Sequence, residues 1–447
     1  MRIVSGVMFF PRGGSAHVAR ALGVELEALG HDVTVVTGSL AGGHGDARTF
    51  YDGLDVRPVP FGPGVPMHPS YEDRPGAEDP CFATVGPAAY EAHVRLWAGA
   101  LDAADAARAD VLHLHHLTPL HEAARRVAPH VPVVGHLHGT ELLMLERIAA
   151  GPPAGWRYAE AWAARMRGWA QGCSRLLLLA DGQRERAVRL LGVDPERCSV
   201  VPNGFDPARF APADIDRGAF WHRQLVAEPR GWRPGEGEGS VAYTAESLAP
   251  LVEGPVLIAC GRFTAVKRLG LLVEAWSDAQ RRTRRRGALV LLGGHPGEWE
   301  GEHPWETIAR TGARDVFLAG WHDHDTLPDF LRASDALVLA SVREQFGLVL
   351  VEAMACGLPC VAVDAFGPAE IVEDGRTGWL VPGDDRAALA DALVEVSDRE
   401  ALRARRGAAA REVALARYGW PAVAVRVADV LAAGAAQGAA TPVGQDG

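Results

Sequence analysis

Lys267 is the only lysine in this chain, and the other 44 of the 45 basic residues are arginines. It lies in the segment Gly261-Arg-Phe-Thr-Ala-Val-Lys267, which also contains Arg262. An ammonium group is a compact point charge on a flexible stem, and it suits a phosphate oxygen in a tight space. We therefore expect Arg262 and Lys267 to bind an anion. The alternative is that Lys267 is a leftover surface lysine.

A second segment carries two glutamates on either side of Gly347. The apolar run 336–340 predicts a buried strand, and Gly347 is expected to open a helix that ends at Gly357. Glu344 then lies in the turn before the helix, and Glu352 lies one turn inside it. The alternative is a capped surface helix with two solvated glutamates.

The start of this predicted helix could also bind an anion. The amide groups of Phe346, Gly347 and Leu348 would be unpaired N–H donors at the positive end of the helix dipole. A carboxylate one turn further in, Glu352, can accept hydrogen bonds from two ribose hydroxyls. The segment therefore favours a nucleotide site.

An alternating α/β series positions both segments. It begins at Val256, and we predict strands near 256–260, 289–292, 316–318, 336–340 and 360–363. Arg262 and Lys267 then flank a strand-to-helix turn, which is where anions bind in open α/β sheets.

The first half of the chain shows the same alternation of predicted strands and helices. A strand at 3–9, a glycine turn at 11–15, a helix at 16–29 and a strand at 32–37 form a βαβ unit. Further strands are predicted at 110–115, 132–138 and 176–179. Residues 39–90 are expected to be long loops, and residues 212–250 an insertion or linker.

The bulk composition limits the class of protein. A chain of 447 residues predicts two domains, and 48% apolar with 23% charged residues is typical of a globular protein. The net charge of −11 argues against nucleic acid or an anionic membrane as the main partner. Six scattered cysteines without a CxxC motif indicate reduced thiols. With neither a secretory signal nor an apolar run of spanning length, we expect a cytoplasmic protein without stable membrane insertion.

The segment from Glu344 to Pro359 resembles the signature of the retaining glycosyltransferases of family 4, also described as glycosyl transferases group 1. Other segments match in chain order: Gly13-Gly14, His138-Gly-Thr-Glu141, Pro202-Asn-Gly-Phe-Asp206, Gly261 to Lys267, Gly367-Pro-Ala-Glu370 and Gly378 to Gly383. The resemblance covers nearly the whole chain, except for the loops at 39–90 and 212–250.

The resemblance implies the GT-B fold, in which two Rossmann-like doubly wound α/β domains face each other across a deep cleft. We expect an acceptor-binding domain at 1–205, a linker or insertion at 206–254, a nucleotide-sugar domain at 255–415, a helix at 416–435 that packs back toward the first domain, and a disordered tail at 436–447.

The resemblance also implies roles in donor binding. Arg262 and Lys267 would bind the donor pyrophosphate beside Gly261 and stabilise the charge on the leaving diphosphate. Glu352 would bind the ribose. Glu344 would hold hydroxyls of the transferred sugar, with the amides of Phe346, Gly347 and Leu348 nearby.

Further roles fall on the first domain. Gly13 and Gly14 would let backbone N–H groups approach the phosphates or the acceptor; a plain turn is the alternative. His138 would contact a sugar hydroxyl near the reacting carbon, or it is a core histidine. Thr140 and Glu141 are candidates for acceptor binding.

The implied reaction moves a hexose from a nucleoside-diphosphate sugar to a small polar acceptor. UDP is preferred to GDP, and an aminocyclitol or other natural-product core would suit as acceptor. The acceptor attacks the face from which the diphosphate leaves, so configuration is retained without a metal or other cofactor. A sugar-nucleotide epimerase, a non-catalytic nucleotide-sugar-binding protein and a dinucleotide oxidoreductase remain alternatives, although the last lacks its glycine fingerprint.

Histidines are concentrated in the first half of the chain. The cluster comprises His113, His115, His116, His121, His136 and His138. Their spacings match no standard zinc pattern, so we expect no metal site.

Overall fold

The computed structural model describes residues 1–11, 13–42, 45–62, 64–71 and 79–440, with side chains up to residue 437. The chain divides into two compact units. Unit 1 comprises residues 1–203 together with the C-terminal segment from Trp420, and unit 2 comprises residues 204–419.

Unit 1 is built on a seven-stranded sheet in which every pairing is parallel. Its strands are β1 (Arg2–Val7), β2 (Asp32–Ser39), β3 (Asp55–Pro60), β4 (Val111–His115), β5 (Val133–His136), β6 (Arg175–Leu178) and β7 (Cys198–Val200). Its helices are α1 (Gly14–Ala28), α2 (Ala47–Phe50), α3 (Pro87–Ala103), α4 (Pro119–Val127), α5 (Thr140–Ala149), α6 (Ala159–Gly172), α7 (Asp181–Leu191) and, at the C-terminus, α17 (Trp420–Ala440).

Unit 2 is built on a six-stranded sheet, again parallel at every pairing. Its strands are β8 (Val256–Cys260), β9 (Ala288–Leu292), β10 (Val316–Gly320), β11 (Ala336–Leu339), β12 (Cys360–Val363) and β13 (Gly378–Val381). Its helices are α8 (Arg217–His222), α9 (Ala249–Glu253), α10 (Leu269–Gln280), α11 (Pro304–Thr311), α12 (Leu327–Arg332), α13 (Leu348–Ala355), α14 (Phe366–Ile371), α15 (Arg386–Asp398) and α16 (Glu400–Arg417).

Strand order fixes where each sheet can bind a ligand. The orders are β3-β2-β1-β4-β5-β6-β7 and β10-β9-β8-β11-β12-β13. In both sheets the order reverses direction once, between β1 and β4 and between β8 and β11. Loops diverge there and leave a crevice at the carboxyl ends of the strands. The prediction of two Rossmann-like doubly wound α/β units is confirmed.

The central strands are nearly continuous apolar runs, because parallel strands are covered on both faces. All five residues of β9 and all four of β11 are buried. One helix face packs against each sheet, as Leu272, Val273 and Trp276 of α10 do in the unit 2 core. These runs are the signal from which the sequence predicted the strands.

Residues 206–254, predicted as a linker or insertion, are part of unit 2. Trp221 and Trp232 from this region are fully buried. The indole N–H of Trp232 donates to the carbonyl of Gly294 at 3.1 Å. The segment therefore supports the carboxyl edge of the unit 2 sheet from outside.

The last helix, α17, belongs to unit 1, where it packs against α1 and the sheet. Gly434 allows the close approach, since a Cβ there would lie 2.5 Å from Cγ2 of Val134. The helix extends to Ala440, beyond the predicted start of the tail at residue 436, and residues 441–447 lie outside the described part of the chain. Among the helices described, none has both the length and the apolar character that a membrane crossing requires.

Candidate active site

Lys267 lies in the turn that follows β8, on one side of the unit 2 switch point. Gly261 begins this turn with φ of 147°, and a Cβ at that position would lie 3.3 Å from Cε of Lys267. The turn continues as one 3₁₀ turn, Ala265–Lys267, before α10 begins. Glycine is therefore needed at 261 both for its backbone angle and because the lysine stem packs against it.

Glu344 lies in the turn after β11, on the other side of the switch point. Its Oε2 accepts a hydrogen bond from Nζ of Lys267 at 2.5 Å, and both side chains are about one-fifth exposed. The amide of Val342 donates to the carbonyl of Val266 at 3.0 Å. The two turns are thus joined by backbone and by an ion pair, and two of the predicted site residues are in direct contact.

The start of α13 completes this edge of the sheet. Gly347 caps the helix with φ of 97°, and Phe346 before it is buried. A Cβ on Gly347 would lie 2.9 Å from Leu350 and 3.3 Å from Glu344. Since no side chain among the described residues caps α13, the first amides of the helix, beginning at Leu348, can serve an anion.

Glu352 lies one turn inside α13, as predicted, and is 4% exposed. Its Oε1 is 2.7 Å from Nε2 of His324, in the loop after β10. Burial raises the pKa of the Cys260 thiol at the end of β8; the charge of Glu352 raises it further, whereas Lys267 opposes the change. Glu352 and Lys267 therefore both lie close to the end of this strand.

Arg262 is exposed in the same turn as Lys267. Its carbonyl accepts a hydrogen bond from the amide of Thr264 at 2.9 Å, which tightens the turn. The unit 2 residues predicted to bind a donor, namely Gly261, Arg262, Lys267, Glu344, Phe346, Gly347, Leu348 and Glu352, all belong to this one edge.

Two features of the edge were missed from the sequence. His324 follows β10 in a polar loop, and no signal links it to Glu352. The pair Gly293-Gly294 after β9 did carry a signal, because consecutive glycines beyond a buried strand indicate close backbone approach. A Cβ on Gly293 would lie 2.4 Å from the carbonyl oxygen of Gly261.

In unit 1, the turn after β1 contains Gly13 and Gly14. Gly13 caps α1 with φ of 71°, and no atom of the described residues lies within 4 Å of where its Cβ would be. The turn is therefore open to a ligand at the unit 1 switch point. Arg12 lies outside the described residues.

His138 follows β5 and is half-buried. Its Nε2 is 3.0 Å from Nδ1 of His115. Burial lowers the pKa of His138 well below its usual range, and the imidazoles of His116 and His136 lower it further. The ring is therefore neutral at neutral pH and suited to hydrogen bonding rather than to carrying charge.

Thr140 and Glu141 begin α5, just after His138. Glu141 is fully buried, and its Oε1 lies 2.6 Å from Nδ1 of His116. The amide of His138 also donates to Oε1 at 3.4 Å. Oε2 of Glu141 and Oγ1 of Thr140 are buried without a hydrogen-bond partner among the residues described. The contact of His116 with Glu141, which the sequence did not predict, thus holds one carboxylate oxygen and leaves the other without a partner among the described residues.

Comparisons with known proteins identify a family for each unit. The family model described as Glycosyltransferase Family 4 matches residues 12–209, and the model described as Glycosyl transferases group 1 matches residues 245–413. The two matches fall on unit 1 and unit 2. The chain belongs to the family 4, group 1 glycosyltransferases.

Relatives of this chain include two D-inositol 3-phosphate glycosyltransferases. That of Catenulispora acidiphila is 34% identical over 262 residues, which are 57% of this chain and 55% of that protein. That of Streptomyces bingchenggensis is 33% identical over 264 residues, covering 58% and 52%. The chain spans about half the length of these relatives.

Solved structures resemble the whole chain. Anabaena HepE in complex with UDP and glucose has a TM-score of 0.69 at 17% identity, covering 97% of this chain and 99% of that one. Sucrose-phosphate synthase from Thermosynechococcus elongatus has a TM-score of 0.68 at 19% identity, covering 99% and 100%. The GT-B fold class is thereby confirmed for this glycosyltransferase.

Proposed function

We propose that this protein is a retaining glycosyltransferase that moves a hexose from UDP to a small polar acceptor. The observation that carries the proposal is the contact between Lys267 and Glu344 across the unit 2 switch point, next to the open start of α13. The cation and the helix start suit the diphosphate of a nucleotide sugar, and the carboxylate suits hydroxyls of its sugar.

Lys267 and Arg262 would bind the donor diphosphate together with the first amides of α13. Two cations and a helix start neutralise a diphosphate in the ground state, and they stabilise it further as charge builds up on the leaving group. Glu352, buried and oriented by His324, would accept hydrogen bonds from the ribose hydroxyls.

Binding of the donor would exchange partners at the ion pair. In the structure described here, Lys267 is satisfied by Glu344. A diphosphate oxygen would take over the ammonium, and the carboxylate of Glu344 would turn to hydroxyls of the transferred sugar. The side chains are part-buried, so this exchange replaces one strong charge-assisted hydrogen bond with others.

The transfer step would then proceed on one face of the sugar. The acceptor oxygen forms its bond to the anomeric carbon as the bond from that carbon to the diphosphate oxygen breaks. The departing phosphate oxygen takes the acceptor proton, so the reaction needs no protein base and retains configuration. In unit 1, His138, Thr140 and Glu141 would contribute hydrogen bonds to sugar or acceptor hydroxyls, and the Gly13-Gly14 turn would admit a ligand close to the backbone.

Two features support the substrate classes. UDP and glucose are bound in the structure of HepE, and inositol phosphate appears in the names of the relatives. Oγ1 of Thr140 and Oε2 of Glu141 have no hydrogen-bond partner in the described part of the chain, and each would bond a hydroxyl of a polyol acceptor such as an inositol phosphate or an aminocyclitol.

The deciding experiment measures consumption of UDP-glucose with and without an inositol phosphate or an aminocyclitol. We expect release of UDP to depend on the acceptor and the product to keep the donor's anomeric configuration. An epimerase would convert the donor without any acceptor. A binding protein would consume no donor, although the donor would still raise its unfolding temperature.

Nucleotide sugars should raise the unfolding temperature of unit 2. At about 100 times its Kd, a ligand stabilises the folded state by about 2.7 kcal/mol, which corresponds to roughly 5 °C or more for a domain of this size. We expect UDP-glucose to produce this shift in thermal denaturation and GDP sugars to produce less. An equal response to both would overturn the preference for UDP.

Transfer should not require a magnesium or manganese ion. We expect the same turnover when EDTA, Mg²⁺ or Mn²⁺ is added at the start of the assay, a treatment that changes the free ions and does not strip a buried one, because Lys267 and Arg262 supply the charge that a metal supplies elsewhere. Activity lost in EDTA and restored by Mn²⁺ would point to a metal at the diphosphate.

A further inference from the structure

Four buried or half-buried histidines form a ladder on one face of the unit 1 sheet: His113, His115, His136 and His138. Strands β4 and β5 pair in parallel with His115 opposite His136 and His113 opposite Val134. Side chains opposite each other in a parallel pair point to the same face, and so do residues two apart on one strand. The pairing of β4 with β5, rather than any sequence motif, therefore brings these imidazole rings together.

The rings are in close contact. The planes of His113 and His136 are 18° apart at a centroid distance of 5.3 Å, and those of His136 and His138 are 16° apart at 4.7 Å. Nε2 of His113 lies 3.2 Å from Nδ1 of His136. His113, His115 and His136 each offer one ring nitrogen, and these three nitrogens lie within 4.8 Å of one another.

Two of these imidazoles are left with an unsatisfied nitrogen. Nε2 of His115 and Nε2 of His136 are buried and make no hydrogen bond to any described residue. The side chains are 0% and 2% exposed. A buried nitrogen without a partner costs free energy, and two at one place indicate that a ligand belongs between them.

The surroundings restrict what that ligand can be. The same face of β5 is covered by α17, because Val134 lies against Gly434. On the neighbouring strand β1, Ser5 and Val7 stand opposite His113 and His115. A set of three neutral imidazoles without a carboxylate suits Zn²⁺, Co²⁺ or Ni²⁺, and it does not suit Mg²⁺ or Ca²⁺.

We propose that His113, His115 and His136 bind one divalent transition-metal ion, with zinc as the fitting representative. In a tetrahedral site with Zn–N distances of about 2.0–2.1 Å, ligand nitrogens lie about 3.4 Å apart. To reach this spacing the rings would rotate, and the hydrogen bond between Nε2 of His113 and Nδ1 of His136 would be exchanged for bonds to the ion. Three protein ligands leave a fourth position for water.

The ion would also act on His138. When Nε2 of His115 ligates a metal, its proton resides on Nδ1, which then donates to Nε2 of His138 at 3.0 Å. His138 would in turn carry its own proton on Nδ1. The metal would thus fix the tautomer and orientation of a residue assigned above to sugar binding, so this consequence rests on the proposed function. The metal site itself does not.

The test measures metal binding rather than activity. The full chain is stripped with a chelator, exchanged into Co²⁺ or Zn²⁺, and dialysed. We expect one zinc ion per chain by elemental analysis, and visible Co²⁺ absorption of the intensity typical of four-coordinate sites, which Zn²⁺ abolishes. Mg²⁺ should not compete. Absence of bound zinc after dialysis, or the weak spectrum of six-coordinate Co²⁺, would overturn the proposal without any variant.

Variants locate the site. We expect His136→Gln to weaken zinc binding by more than the roughly 10- to 100-fold that changes to outer-shell partners cause. The matched control is His93→Gln on α3, since His93 is as buried as the three proposed ligands and lies outside their group. Equal zinc content in both variants would contradict the assignment. The acceptor-dependent assay of the wild-type enzyme tests the proposed function separately.

Discussion

Replacing Lys267 by alanine is expected to lower kcat by about 10²- to 10³-fold, the loss seen when one preorganised donor to a developing negative charge is removed. The ammonium would be lost where the diphosphate leaves, and Arg262 in the same turn would remain as one cation where the site is proposed to use two. The fold should survive, because Lys267 is part-exposed and its partner Glu344 retains access to water. Steady-state kinetics with UDP-glucose and a melting curve measure the two effects.

Lys267→Arg should also be impaired, by at least about tenfold, despite equal charge. The lysine stem packs against Gly261, with 3.3 Å between Cε and the position of a Cβ. A planar guanidinium is broader than an ammonium and cannot occupy this space in the same way. The matched control is Arg282→Gln beyond the end of α10, which removes an exposed cation paired with Asp391 and should leave kcat unchanged. Near-normal activity in Lys267→Arg would show that only charge matters.

The sequence predicted the central strands because their physical signal is strong. Four or five consecutive apolar residues, as in β8 and β12, have few alternatives to a buried parallel strand. Strand β3 was missed, since it lies at the sheet edge, alternates exposed positions and contains Pro58 and Pro60. Residues 206–254 were equally hard to place, because their contribution to unit 2 depends on tertiary contacts of Trp221 and Trp232.

The site was predictable to the level of the sheet edge and no further. Parallel strands bring their carboxyl ends to one side, so Lys267 after β8 and Glu344 after β11 had to share an edge. That these two side chains pair with each other depends on strand order, which places β8 beside β11 although β9 and β10 lie between them in sequence. The contact from Glu352 to His324 depends on a loop conformation, for which the sequence carries no pattern.

The histidine ladder illustrates the same limit. Spacing along the chain matches no zinc motif, and this favoured the absence of a metal. Such motifs describe ligands on one turn or hairpin. In the ladder the ligands come from two strands paired in parallel, so the relevant spacing is the register of His115 with His136. Only the paired sheet reveals it.

Glu352→Gln is expected to raise the KM for the nucleotide sugar by about 100-fold with little change in kcat. Hydrogen bonds to a charged group contribute about 1.5–3 kcal/mol each, and about 1.4 kcal/mol corresponds to tenfold in affinity. The ribose is remote from the reacting bond, so the loss should fall on binding of substrate and transition state alike. Glutamine has nearly the same shape as the buried glutamate, and a melting curve would verify that α13 remains folded.

A nucleotide without the 2′ and 3′ hydroxyls distinguishes direct contact of Glu352 with the ribose from a change in local packing. If Glu352 binds the ribose hydroxyls, the wild-type protein should bind UDP more tightly than 2′,3′-dideoxy-UDP, by about the factor in affinity that Glu352→Gln loses. The variant should bind both nucleotides equally. Calorimetry measures both affinities. His324→Gln, which removes the partner 2.7 Å from Glu352, should produce a smaller loss with the preference for UDP retained. Only a group that contacts the ribose can distinguish nucleotides by their hydroxyls. If Glu352→Gln weakened the binding of both nucleotides by the same factor, Glu352 would instead be assigned to holding α13 against the loop after β10.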